Sequence, residues 1–314
     1  MVDQQQAPVG ATISTKARAW RITKRLVRSL VLIYLLVGIG MFAFQTKLIF
    51  PGASYQGTAE TRVTPRVGEE SVRLKTADGT EVVGLFCQAD PPLVKPGRPA
   101  GTNRGPLPTI LFFYGNAMCV NDATFVGDKF RELGYHVMLV DYEGFGMSAG
   151  KPSEQGCYNA AEVAYQYVLT RPDVDTKRLV ASGWSLGSAV AIELAHRHRD
   201  EGTIRALMTF SAFTSMVDEG AYHYPFLPVG LVLQHRFMSI DKIKDLTIPY
   251  LAGHGKHDSI IPFAFTPRLV KAYGGKPENV TMFECDTDHN DFFDDENKVV
   301  MPQVEAFLKK TTAN

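Results

Sequence analysis

Residues 178 to 199, RLVASGWSLGSAVAIELAHRHR, constrain this chain more than any other stretch, because a buried-strand pattern breaks at Gly183-Trp184-Ser185-Leu186-Gly187 and resumes at once as a helix. A serine on so sharp a turn is the nucleophile-elbow pattern. Its flanking positions must lack bulk, and the next backbone N–H must be free to hold an oxyanion. Gly183 and Gly187 meet the steric demand, and Ser188, Ala189 and Ala191 let the helix pack closely. The competing reading is a Gly/Ser turn in an ordinary junction, since so short a pattern recurs by chance. It recurs here at Gly146-Met147-Ser148-Ala149-Gly150. Ser148 lies beyond a strand end and is followed by Lys151-Pro152, which marks a loop. Ser185 is therefore the candidate nucleophile and Ser148 a loop residue.

The surrounding pattern sets the fold. Two strands, SVRLKT and EVVGLFCQ, meet at Asp78-Gly79, a hairpin signal. Residues 90 to 108 are so rich in Pro and Gly that they read as an exposed loop. From Thr109, the apolar runs TILFFYG, YHVMLVDY, RLVASGW, ALMTFSAF, IPYLAGHG and NVTMFE alternate with helix-period segments 121 to 133, 154 to 170, 185 to 199 and 262 to 273. A last helix is expected near Glu296 to Lys309. Continuous apolar strands between helices mean a mainly parallel sheet covered on both faces. The expectation is an eight-stranded, mostly parallel α/β-hydrolase outline over 47 to 314, with a small lid at about 212 to 245.

The N-terminus reads differently. Residues 1 to 15 are polar and unpatterned, as in a disordered tail, and Lys16, Arg18, Arg21, Lys24, Arg25 and Arg28 then precede the uncharged stretch from Ser29 to Thr46. That stretch is about the minimum for a transmembrane helix. Its one-sided cationic flank predicts a single-pass signal anchor at 29 to 46, with 1 to 28 a cytoplasmic basic tail and the rest of the chain on the non-cytoplasmic side. A cleaved signal peptide and a buried core helix are the alternatives. Against cleavage, Phe42-Ala43-Phe44-Gln45 offers no small-x-small site.

Composition excludes some partners. The 314 residues carry no net charge and are 45% hydrophobic, enough for a large core in one α/β domain with appendages or in two small domains. Nothing in that balance points to nucleic acid. Cys87, Cys119, Cys157 and Cys285 form no C-x-x-C pair, so core thiols are expected rather than a zinc site, with a disulfide open only in an oxidising compartment.

In an open α/β sheet the site lies beyond the carboxyl ends of the strands. Four loops reach that edge: Tyr114-Gly115-Asn116-Ala117, Asp141 to Gly146, the elbow, and Gly253 to Asp258. An N–H of the first can serve as a second oxyanion donor. The order Ser, acid, His is met by Ser185, Asp258 and His289. Among the other histidines, His196 and His198 read as a solvated helix face, His136 opens a strand, His223 and His235 follow the sixth strand, and His254 and His257 are placed to order the acid. The rival for the last loop is a metal cluster of Asp286, Asp288, His289 and Asp291. A calcium loop wants different spacing, and the histidine suits zinc or iron better.

Taken together, F-Q-x-K-L-I-F-P, Y-G-N-A, D-Y-x-G-x-G-x-S-x-G-K-P-S-E, G-x-S-L-G-S-A, F-T-S-M with Y-P-F-L-P, and H-G-x-x-D-x-x-x-P resemble the Bem46-like branch of the serine α/β hydrolases, from residue 45 to the C-terminus. That branch includes membrane-anchored hydrolases, some of them protein depalmitoylases in animals. The resemblance implies Ser185 as nucleophile, Asp258 as acid, His289 as base, and the N–H groups of Asn116 and Leu186 as oxyanion donors. Two departures stand out. The family usually has His where Tyr114 stands, and Met118-Cys119 replaces a small or polar pair.

The expected function is hydrolysis of an acyl ester or thioester, from a small-molecule or lipid substrate, through an acyl-enzyme on Ser185, with no metal or organic cofactor. The lid segment carries Phe213, Tyr222, Tyr224, Phe226, Leu227, Leu231, Leu233 and Phe237, which either cover the sheet or line an acyl groove. Two other classes stay open: a membrane-tethered binding protein with this fold and no activity, and a metal-dependent hydrolase built on residues 286 to 291.

Overall fold

A computed structural model describes residues 15–89, 105–294 and 296–312. The tail read over residues 1 to 15 lies outside the described residues except for Thr15, which opens a helix, and so does most of the loop read over 90 to 108. The chain forms two compact units, divided after Gln45.

The first unit is most of one helix, α1 (Thr15–Ile49). It runs past both ends of the expected 29–46 span, because the basic lead-in consists of residues that favour helix as well as the apolar run does. At 1.5 Å per residue it is roughly 50 Å long, beyond the ~30 Å of a hydrocarbon core. By length and composition it is long and apolar enough to cross a membrane.

The second unit is built on one sheet of eight strands, in the order β1-β2-β4-β3-β5-β6-β7-β8. The strands are β1 (Glu69–Lys75), β2 (Glu81–Cys87), β3 (Leu107–Phe113), β4 (His136–Val140), β5 (Val174–Trp184), β6 (Ile204–Phe210), β7 (Tyr250–Gly255) and β8 (Val280–Cys285). β2 runs antiparallel to both β1 and β4, and every other pairing is parallel. Strands β3, β4, β6 and β7 are buried almost throughout, as their unbroken apolar runs require, while the edge strand β8 is only partly buried. This is the α/β-hydrolase sheet expected from the sequence.

The connecting helices are α2 (Val120–Glu132), α3 (Glu154–Leu169), α4 (Leu186–Arg197), α8 (Phe265–Ala272) and α9 (Val300–Thr311). Both α8 and α9 begin later than periodicity suggests. Pro267 and Pro302 are the reason: proline is tolerated in the first turn of a helix but breaks its interior, so each helix starts shortly before its proline. The segment after β6 folds into α5 (Met216–His223), α6 (Val229–Val232) and α7 (Ser239–Lys242), three short helices over the sheet edge. Phe213, Leu227 and Phe237 are buried beneath them, while Tyr222, Phe226 and Leu231 are exposed.

The segment is tied down at its far end. The Glu154 carboxylate at the start of α3 accepts the backbone N–H groups of Arg236 at 2.6 Å and Phe237 at 3.0 Å. These bonds hold Phe237 at a positive φ of 41°, a conformation costly for an L-residue.

Candidate active site

The elbow is assembled by contact between backbones. A Cβ on Gly183 would run into the Gly187 carbonyl, and one on Gly187 into the Phe113 carbonyl at the end of β3. Only glycine fits either position, so α4 can rise directly from β5. Between them Ser185 is driven to φ 56° and ψ −122°, a strained conformation found where geometry is held for function. Its N–H is fixed to the Phe210 carbonyl at 2.9 Å, and the Ser188 hydroxyl braces the turn by donating to the Gly183 carbonyl at 2.8 Å. Ser185 keeps 7% of its surface exposed at the start of α4. Leu186 is the first residue of that helix, so its N–H has no acceptor one turn back.

Asp258 and His289 come together from the loops after β7 and β8. His289 Nδ1 donates to Asp258 Oδ2 at 2.7 Å, and the Asp258 side chain is fully buried. The other carboxylate oxygen, Oδ1, accepts the N–H groups of Ile260 at 3.0 Å and Ile261 at 2.7 Å. Burial opposes ionisation of this carboxyl, but hydrogen bonds from His254, His289 and the Ile261 N–H, with the charge of His289, hold it well below the ordinary carboxylate range. The His289 ring stacks on Trp184, the residue before Ser185, with centroids 5.7 Å apart and planes 27° from parallel. The elbow and His289 therefore pack against each other.

His254 is completely buried and orders the acid. Its Nε2 lies 3.2 Å from Asp258 Oδ2 and 3.0 Å from the Ile261 carbonyl, and its Nδ1 lies 2.7 Å from the Thr266 hydroxyl. His257 does otherwise. It bonds Asp286 at 2.7 Å, away from Asp258.

Three of the four residues weighed as a metal cluster are engaged separately. Asp286 pairs with His257, Asp288 accepts from Ser259 and from the His289 N–H, and His289 turns to Asp258. Among the described residues no group of three or more His, Cys, Asp or Glu side chains is arranged to hold an ion.

The loop after β3 lies against Ser185, since a Cβ on Gly115 would sit 3.5 Å from the Ser185 Cβ. Asn116, the next residue, has its side chain committed to the Ile49 carbonyl at 2.9 Å and its own carbonyl to the Gly52 N–H at 3.0 Å. Tyr114 turns to Asp141 instead. Its hydroxyl donates to the buried Asp141 carboxylate at 2.8 Å, which also accepts the N–H groups of Val120 at 2.7 Å and Met147 at 2.9 Å. Burial pushes the Asp141 carboxyl up, against the pull of these hydrogen bonds. Tyr114 thus organises two loops from behind. Ser148 is buried in the same layer, joining the Asp141 carbonyl to the Val83 N–H.

One histidine departs from its expected place. His196 is partly exposed and pairs with Asp245, but His198 is buried between Glu162 and Glu201, at 2.9 and 2.8 Å, with its ring over Tyr165. Two residues apart on a helix, the two side chains point to different faces and do not share one environment. Sequence reasoning also missed the brace by Ser188 and the pin between Ser259 and Asp288.

A family model described as serine aminopeptidase, S33, matches residues 106–238. The uncharacterized protein Rv2307c of Mycobacterium tuberculosis is 32% identical over 277 residues, covering 87% of this chain and 91% of that protein. Protein bem46 of Schizosaccharomyces pombe is 29% identical over 253 residues, covering 76% and 77%. A lysophosphatidylserine lipase of Danio rerio is 33% identical over 183 residues, covering 52% of this chain and 46% of the lipase. Among solved structures, the Pyrococcus furiosus esterase Pf2001 superposes with a TM-score of 0.61 at 17% identity, over 80% of this chain and 97% of the esterase.

Proposed function

The chain belongs to the serine α/β hydrolases related to Bem46, and on that premise we propose that it hydrolyses an acyl ester or thioester through an acyl-enzyme on Ser185. The observation that carries this reading is the strained serine at φ 56° beside an imidazole whose Nδ1 is held by a buried carboxylate at 2.7 Å.

The steps follow from the geometry. With Nδ1 committed to Asp258, His289 presents Nε2 as a base and takes the proton of Ser185 Oγ as that oxygen attacks the substrate carbonyl. The oxyanion is received by the backbone N–H groups of Leu186 and Asn116. His289 returns the proton to the departing alcohol or thiol, and the acyl group stays on Ser185. Water, deprotonated by the same imidazole, then releases the carboxylic acid and restores the serine. Asp258 stays ionised throughout and stabilises the imidazolium. The apolar lid and the family tie to a lipase support a lipid-like acyl group. Every reacting group comes from the chain itself, so this reading calls for no cofactor.

The N-terminal helix is read as a single-pass anchor through residues 29–46, with the basic N-terminus cytoplasmic and the hydrolase domain on the other side. The cationic flank and the helix length support that placement.

The test is labelling with a fluorophosphonate probe, followed by a chain-length panel of esters and thioesters. Labelling that is abolished in Ser185→Ala, with activity on acyl esters, is the expected result. Probe-resistant activity that EDTA removes would instead point to a metal-dependent hydrolase.

A further inference from the structure

We propose that the outer face of the lid, carrying Tyr222, Tyr224, Phe226 and Leu231, docks on a lipid bilayer and opens the site at Ser185 to acyl chains held in that bilayer. The proposal rests on the reading of residues 29–46 as a membrane anchor.

The face is apolar by composition and fixed by packing. Residues 220 to 235, GAYHYPFLPVGLVLQH, hold no Asp, Glu, Lys or Arg, in a chain that is 21% charged. Leu231 is 88% exposed and Tyr222 62%, and Tyr224 and Phe226 are exposed between them. Leu227 and Val229 are buried and pin the segment from within. A Cβ on Gly220 would come within 2.8 Å of Val229 Cγ1, so α5 and α6 pack closely and the exposed residues ride on a fixed scaffold. A single exposed leucine is ordinary. Four large apolar side chains within one short segment, with no charge between them, mark an interaction surface.

Two attachments say what covers it. At one end the second unit begins. Thr46 Oγ1 lies 3.2 Å from His235 Nε2, and the buried Phe50 ring meets the rings of His235 and Phe237 at centroid distances of 5.1 and 6.1 Å. A chain emerging from a bilayer near Thr46 therefore meets the lid segment first. Arg236 reaches back to donate to the Gly230 carbonyl at 2.9 Å, which keeps Leu231 close to that junction. A surface so near the end of the anchor lies at the level of the lipid headgroups, where aromatic and aliphatic side chains gain by inserting at the acyl boundary. A soluble partner would first have to displace the lipid that the anchor brings there.

At the other end the lid meets the loop of the acid. His223 Nε2 lies 2.8 Å from Glu219 Oε1 on its own helix and donates to the Ile260 carbonyl at 3.0 Å, while the Ile260 N–H goes to Asp258 Oδ1 at 3.0 Å. The lid thus runs from the end of the anchor to the loop that presents Asp258, and an acyl chain passing along it need not cross water.

The experiment places one nitroxide on the full chain in phosphatidylcholine vesicles, at Tyr222→Cys, Leu231→Cys or, as control, Val67→Cys. The native thiols are buried and leave the added one to react. Val67 is 97% exposed and precedes β1 at the end of the sheet where β4 starts, away from the carboxyl ends of the parallel strands. Power saturation compares collisions with dissolved oxygen and with a water-soluble nickel chelate. Both lid labels are expected to meet nickel roughly fivefold less often than the Val67 label while staying open to oxygen. Nickel collisions equal to those at Val67 overturn the proposal. Shielding from both reagents also overturns it, because protein then covers the face, a second copy if the labels broaden one another. Release of the wild-type chain by alkaline carbonate would instead defeat the anchor reading. Leu231→Asp is expected to raise KM roughly tenfold for a long-chain ester carried in the vesicles, the effect of one leucine no longer buried, and to leave a soluble p-nitrophenyl ester unaffected. Equal effects on the two esters overturn the link to the site. Wild-type inactivity on both would defeat the acyl-ester reading, with the labels still deciding the docking.

Discussion

Ser259 and Asp288 are joined twice, by the serine N–H and by its hydroxyl, both at 2.8 Å from Asp288 Oδ1. One residue follows Asp258 and the other precedes His289. The bond therefore clamps the loops that bring Asp258 and His289 together, and the same oxygen also accepts the His289 N–H at 2.6 Å. Asp288→Ala is expected to lower kcat by roughly three- to tenfold, with KM and melting temperature close to wild type, because it loosens alignment without touching substrate. Steady-state kinetics beside a thermal melt check this, and an unchanged kcat would remove the clamp from the mechanism.

Asp258 gives a pH dependence with a definite sign. Its carboxyl is held below the ordinary range in the folded state, so its pairing adds stability above the unfolded value of about 4 and loses it as pH falls toward the folded value. The stability gap between wild type and Asp258→Asn should be full at neutral pH and narrow steadily below about pH 4. Urea unfolding at several pH values measures it. In activity, the same variant should lose about four orders of magnitude in kcat, as expected when the imidazole loses its orienting carboxylate.

Tyr114→Phe separates loop organisation from catalysis. It strips one hydrogen bond from the buried Asp141 and should cost about 1–2 kcal/mol of stability. The Gly115 and Asn116 backbone remains beside Ser185, so probe labelling should persist. Loss of labelling with an unchanged melting temperature would show that the tyrosine acts on the reaction directly.

Gly187→Ala tests the backbone contact at the elbow. Its Cβ would meet the Phe113 carbonyl, which cannot move without breaking into the sheet, and the expected cost is about 3 kcal/mol. Gly57→Ala is the control: at φ 73° in open space it should cost only about 1 kcal/mol of backbone strain. Equal melting temperatures for the two variants would refute the close-contact argument.

Much of this was legible in the chain because the relevant forces are local. The strand-to-helix break at Gly183 to Gly187, the Asp-Gly turn and the unbroken apolar strands each report a steric or hydrophobic demand on a few neighbouring residues. Helix starts at Phe265 and Val300 are set just as locally, by Pro267 and Pro302 in their first turns. The rest is set by distance in sequence. Nothing near Glu219 reveals that a loop about forty residues later will meet its helix, and nothing near His198 reveals Glu162 on the neighbouring helix. His254 lay between these cases: it was singled out for its place before Asp258, but its burial could be known only from the packed fold.

The four thiols carry a final consequence. Cys87, Cys119, Cys157 and Cys285 are all free and all buried, and burial pushes Cys87 and Cys119 up to about 12, which leaves few thiolates to react. The cysteines form no crosslink for a reductant to remove, and none presents an exposed thiol to an oxidising medium. The packing of this unit therefore rests on burial and hydrogen bonds rather than on a disulfide, and the same packing shields its thiols.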